Sequence, residues 1–234
     1  MSSLWKIPFI LVSIVGAHVT LTSPAPPPLE HESRAKTEGS VRVTHAVPIT
    51  KYFLWVLSIA EIVTIIAYHT AWFPYSQIVL SFLMPRENAS AIHLTQLFIC
   101  SAIVCVCGSL LRYQCYRTMG QQFTFELSIR EGHTLVTSGP YGIVRHPGYT
   151  GIFVALIGAA CLHGSRGSWL RESGVLGTEI GRVLVGSTTM ITCTALGSLR
   201  WRMRNEDKAL RDEFGDAWWN WADAVPYALI PGIY

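Results

Sequence analysis

Five apolar runs dominate this chain: Leu4–Leu21, Tyr52–Phe73, Ala91–Leu111, Tyr149–His163 and Ile180–Leu199. A transmembrane helix needs roughly 17–25 predominantly apolar residues, and each run approaches that length. The fourth is short, and the Gly/Ser-rich turn after it predicts a hairpin with the fifth. The pattern predicts an all-α integral membrane protein of about five transmembrane helices. The first run has a competing reading, because Lys6 before an apolar core and small residues after it also fit a cleaved signal peptide. The run is longer than a usual signal core, which favours a retained anchor over residues 1–22. Ser23-Pro-Ala-Pro-Pro-Pro28 reads as a stiff connector, so residues 23–51 are expected to form a Pro-rich linker and polar loop. Residues 52–234 then form the main membrane domain.

Composition supports a lipid environment. Half of the 234 residues are hydrophobic and 14% are charged, against about 25% charged in a soluble domain. The net charge of +3 is spread along the chain, with no basic stripe or aromatic-basic module of the nucleic-acid type. The six cysteines lie in or beside apolar runs. Their spacing fits no zinc or disulfide framework, so they read as small buried hydrophobes. With five spans, Arg34, Lys36, Arg42, Lys51, Arg112, Arg117, Arg130, Arg145, Arg200, Arg202, Arg204, Lys208 and Arg211 all fall on one side. The positive-inside rule makes that side cytosolic. The sequon Asn88-Ala-Ser90 then falls on the lumenal side.

One polar stretch, His133 to Tyr149, is dense in titratable and turn-forming residues yet runs straight into an apolar segment. Ionisable groups at a bilayer edge cost free energy, which argues for a site rather than scaffolding. The tail from Leu199 reads as a helix whose apolar stripe carries Leu199, Met203, Leu210 and Phe214, with Glu206 on the same stripe. Arg202 stands four residues before Glu206. Taken alone, that spacing reads as an ordinary surface ion pair worth a few tenths of a kcal/mol. Trp218, Trp219, Trp221 and Tyr227 read as an interfacial aromatic belt. Glu61, inside the second run, is either a functional carboxylate or a satisfied contact between helices.

Three blocks now stand in order: His133-x-Leu-Val-Thr-x-Gly-x-Tyr141, Arg145-His-Pro-x-Tyr149-x-Gly151, and Arg202-x-x-x-Glu206-Asp207-x-x-Leu210-x-x-x-Phe214-Gly215. Together they resemble the isoprenylcysteine carboxyl methyltransferases, over about residues 120–234. The resemblance implies a multi-pass enzyme of the endoplasmic-reticulum membrane with its working face in the cytosol. It would use S-adenosylmethionine to methylate the C-terminal carboxylate of a prenylated cysteine, in CaaX-type proteins or peptides after proteolysis. Membrane lipid is the other expected partner, and nucleic acid is not one.

The resemblance also implies residue roles. His133, Thr134, Leu135 and Val136 would line the cofactor. Tyr141, His146, Pro147, Gly148 and Tyr149 would close around it, and Glu206 would take its amino group. Glu126 stands where the family often has Gln and is a weaker cofactor candidate. Arg202 would hold the acceptor carboxylate through parallel guanidinium donors. A prenylcysteine carboxylate is already ionised near neutral pH, so binding residues are expected rather than a nucleophile, an acid-base pair or a metal. Two other readings compete: a phospholipid amine N-methyltransferase and a sterol-type membrane reductase. The arginine at 202 suits an anionic acceptor better than a protonated amine.

Overall fold

The structure is a computed structural model that describes residues 3–25, 38–84, 89–123, 125 and 132–233. Among these residues the regular structure is helical: α1 (Lys6–Thr20), α2 (Glu38–His69), α3 (Ser76–Leu83), α4 (Gln96–Met119), α5 (Pro147–Gly164), α6 (Trp169–Glu172), α7 (Glu179–Phe214) and α8 (Asp216–Ala224). Four stretches of the described residues are long and apolar enough to cross a membrane: His45–His69, Gln96–Gln122, Pro147–Glu172 and Glu179–Phe214. The all-α membrane expectation therefore holds, but the count is four rather than five. Helix α1 has only 15 residues, about 22 Å at 1.5 Å per residue, short of the roughly 30 Å hydrocarbon core. Helix α2 also begins earlier than expected. Residues 38–51, read as loop, are helical because Ala46, Val47 and Ile49 extend the apolar run toward the span.

The chain divides into two compact units. The first takes the residues up to His18 with Ile49–Cys107 and Val154–Met190; the second takes Val19–Pro48, Gly108–Phe153 and Ile191–Tyr234. The first unit is built on Ile10, Ile65, Phe98, Ala102 and Leu162, with Met84 and Ile92 from the connecting segments. Its helices α4 and α5 meet backbone to backbone. A Cβ added at Gly158 would fall 2.3 Å from the Cys105 nitrogen, the close approach that small residues permit between membrane helices.

Lys6 is the unexpected member of this unit. It is completely buried, pairs with the equally buried Glu61, and donates to the Gly167 carbonyl at 2.6 Å. Its ammonium also lies 4.2 Å from the Phe98 ring centre. Glu61 is thus ion-paired between helices, and α1 is packed as part of the unit.

The second unit is centred on an aromatic cluster: Tyr116, Phe123, Tyr141, Trp218 and Trp221, with Cys115 and Val225. This corrects the reading of the tryptophans as an interfacial belt. Trp218 and Trp221 are core residues, and the Trp221 indole donates to the Tyr141 carbonyl at 3.1 Å; Trp219 and Tyr227 remain exposed. The cysteine reading is corrected in part: Cys105 and Cys115 are buried, whereas Cys100, Cys107, Cys161 and Cys193 are exposed on helix surfaces. A thiol on a membrane helix is apolar enough to face lipid as readily as core.

Candidate functional site

The polar stretch of the second unit folds as a sequence of turns that delivers its side chains to α7. Gly139 has φ +60°, a conformation that favours glycine, and opens a short 3-10 turn over Gly139–Gly142. The chain then reaches Arg145 and His146, and Pro147 starts α5, the helical position where a missing N–H costs nothing.

The C-terminal segment lies against this entry. The Arg145 and His146 amides donate to the Tyr227 and Ala228 carbonyls at 2.9 and 2.8 Å. Arg145 Nη1 donates to the carbonyls of Val225 and Pro226, and Thr150 donates to that of Leu229. The Val-Pro pair near the end therefore contributes backbone acceptors to the site's frame.

Four charged or polar positions of the expected set converge: His146, Tyr149, Arg202 and Glu206. The Tyr149 hydroxyl accepts from Arg202 Nε at 2.7 Å and donates to Glu206 Oε2 at 2.6 Å. His146 Nδ1 stands 3.9 Å from Glu206 Oε1, while its Nε2 pairs with Asp207 Oδ1 at 3.0 Å. Asp207 also lies 3.8 Å from Arg145 Nε. The two adjacent carboxylates thus divide their partners: Asp207 fixes His146 and Arg145, and Glu206 faces Tyr149. Arg202 and His146 are nearly buried, whereas the Glu206 carboxylate is 28% exposed, the most open charged group of the cluster. The bland reading of Arg202 and Glu206 as a surface pair fails, because Tyr149 joins them from a different helix.

The other expected residues pack nearby on apolar contacts. Leu135 and Val136 lean on the aromatic cluster. The His133 ring lies 6.0 Å from that of Phe214. Thr134 is held by Gln122, whose amide donates to its hydroxyl at 3.0 Å. Tyr141 points into the aromatic core and donates to Met119 Sδ at 2.8 Å. Burial pushes its phenol above the ordinary tyrosine value, so it remains a donor. Pro147 and Gly148 are buried at the start of α5. Glu126 and Asn88 lie outside the described residues.

Arg112 was not singled out by the sequence reading, which counted it among loop cations. It is buried within α4, donates to the Tyr116 hydroxyl at 3.1 Å, and lies 5.2, 4.7 and 5.4 Å from the ring centres of Tyr116, Phe123 and Phe125. A Cβ at Gly148 would come within 2.8 Å of its Nη1, and one at Gly151 within 2.9 Å of its backbone nitrogen. Gly151 is therefore required by the approach of the α4 backbone, beyond any role in ending a turn, whereas a Cβ at Gly148 would meet the far end of the Arg112 side chain. The recurrent aromatics at 116, 123 and 125 were the available signal.

Residues 101–167 match the model of the isoprenylcysteine carboxyl methyltransferase family. Over that stretch the chain is similar to this family. Protein-S-isoprenylcysteine O-methyltransferase B of Arabidopsis thaliana is 42% identical over 55 residues, which are 23% of this chain and 28% of the relative. The alignment thus spans little more than a quarter of that relative's length. The matched stretch holds Arg112, His133–Val136, Tyr141 and His146–Tyr149, and ends before α7 with Arg202 and Glu206.

Proposed function

We propose that this chain uses S-adenosylmethionine to methylate the C-terminal carboxylate of a prenylated cysteine, at the cytosolic face of the endoplasmic-reticulum membrane. The observation that carries the reading is the Tyr149 bridge, which joins an arginine and a partly exposed carboxylate. The donor set fits the two ligands. Glu206 can take the cofactor's ammonium group, and a planar guanidinium suits the acceptor carboxylate. Leu135, Val136 and Phe214 offer apolar surface in the same unit.

S-adenosylmethionine supplies a methyl group carried on a cationic sulfonium. The protein's task is to hold the acceptor carboxylate in line with it, and positioning of this kind contributes roughly 7–11 kcal/mol. Arg202 orients the carboxylate, Tyr149 fixes the separation of Arg202 from Glu206, and Asp207 locks His146 against them. Opposite charges cancel as the reaction proceeds, so a water-poor site assists. The acceptor's carboxylate is already ionised, and none of these side chains is asked to move a proton.

The test is transfer of labelled methyl to N-acetyl-farnesylcysteine by membranes containing this chain, with phosphatidylethanolamine as a parallel acceptor. Base-labile methyl ester on the prenylcysteine alone is expected. Label confined to the lipid would replace this reading with amine methylation.

A further inference from the structure

The part of α7 that carries Arg202 and Glu206 has a second, outward face. Arg200, Arg204 and Lys208 are all exposed and are spaced four residues apart. At roughly 100° per residue they occupy a sector about 80° wide, centred about 180° from the mid-line between Arg202 and Glu206. Arg211 lies within the same sector but is directed at rings, 5.5 and 5.4 Å from those of Trp218 and Trp219. Asp207, at the edge of the sector, is held by His146. The stripe is therefore cationic along two turns.

Its depth identifies what it meets. From Ile180 to Leu199 the helix rises about 30 Å, the thickness of the hydrocarbon core. Ile180, Val183, Leu184 and Met190 expose their apolar side chains along that length. Arg200 then falls at the edge of the core, Arg204 about 6 Å further and Lys208 about 12 Å further. The headgroup layer is about 5–8 Å deep on each side. Arg200 and Arg204 thus stand within it, and Lys208 stands outside it but within a Debye length of about 8 Å. Trp201, 46% exposed, sits at the level where indoles anchor in the interface.

We propose that Arg200, Arg204 and Lys208 form a binding face for anionic phospholipid headgroups, on the back of the helix whose inner face carries the candidate site. Basic residues beside a transmembrane helix attract such lipids, at roughly fivefold in affinity per cation near the surface. Depth sets their order: Arg204 contributes more than Lys208. An acidic protein partner approaching from the aqueous side would reverse it, since Lys208 protrudes further.

The test uses the purified full chain in mixed micelles or nanodiscs of phosphatidylserine and phosphatidylcholine, with retained lipid quantified by mass spectrometry. No methyl transfer is read, so this result stands apart from the activity assay. The native protein is expected to enrich phosphatidylserine at low salt and lose the enrichment at high salt. Arg204→Gln should cut it about fivefold, Lys208→Gln less, and Arg204→Lys should retain it, which separates charge from folding. Equal retention of both lipids by the native chain would overturn the proposal. So would Gln variants that bind phosphatidylserine like the native chain, or a larger loss at Lys208 than at Arg204.

Discussion

Replacing Tyr149 by Phe removes one oxygen and keeps the ring. That oxygen donates to Glu206 at 2.6 Å and accepts from Arg202 at 2.7 Å. A hydrogen bond to a charged group contributes about 1.5–3 kcal/mol. The two bonds share one atom and do not add, so the expected loss is about 1.5–3 kcal/mol in all, or roughly 10- to 150-fold in kcat/KM. The loss should appear in the KM for both ligands, because Tyr149 sets the position of both the cation and the carboxylate. The assay is methyl transfer to N-acetyl-farnesylcysteine with each substrate varied in turn, alongside a thermal melt to show that the Phe variant folds. An interfacial anchor would tolerate Phe. Kinetics within about twofold of the native values would therefore refute the bridge as part of the site.

Three further outcomes are expected. Lys6→Met should strand the Glu61 carboxylate in the first unit and cost about 3–5 kcal/mol, whereas Lys6→Met with Glu61→Leu should recover most of it; melting in detergent checks both. Gly158→Ala drives a Cβ into the Cys105 backbone at 2.3 Å, while Gly164 has nothing within 4 Å, so the first should lose about 1–3 kcal/mol and the second should melt like the native chain. Glu206→Ala should abolish S-adenosylmethionine binding, whereas Arg202→Ala should bind it and lose affinity for the acceptor; equal binding by the two variants would end that division of roles.

What could be read from the chain depended on whether a residue's partner is near in sequence. The spans at α4, α5 and α7 were legible because their apolar runs are continuous, and the face shared by Met203, Glu206 and Leu210 follows from helical spacing alone. Lys6 was not legible in this way. A cation before an apolar run looks like a solvated flank, and only Glu61 on another helix makes burial tolerable. Arg112 follows Leu111 and looked like the end of a span, yet α4 continues to Met119 and carries the guanidinium into a ring of aromatics. Trp218 and Trp221 read as interfacial because indoles favour that position, but the Tyr141 carbonyl gives the Trp221 N–H a buried acceptor. Asp207 stood in the third block with no role of its own, because the partner it holds, His146, lies 61 residues earlier in the chain.

The family match and the candidate site do not have the same boundaries, and the geometry connects them. Tyr149 and His146 lie inside the matched stretch, whereas Arg202, Glu206 and Asp207 lie outside it. The hydroxyl of Tyr149 and both ring nitrogens of His146 are directed at groups on α7. A function assigned to the matched turn therefore draws on α7 as well, since the turn's polar atoms have their partners there. Conversely, α7 alone would present Arg202 and Glu206 as one more exposed pair worth a few tenths of a kcal/mol. The chemistry becomes specific only where the start of α5 and this part of α7 share a hydroxyl, and a substitution on either side should be felt on the other.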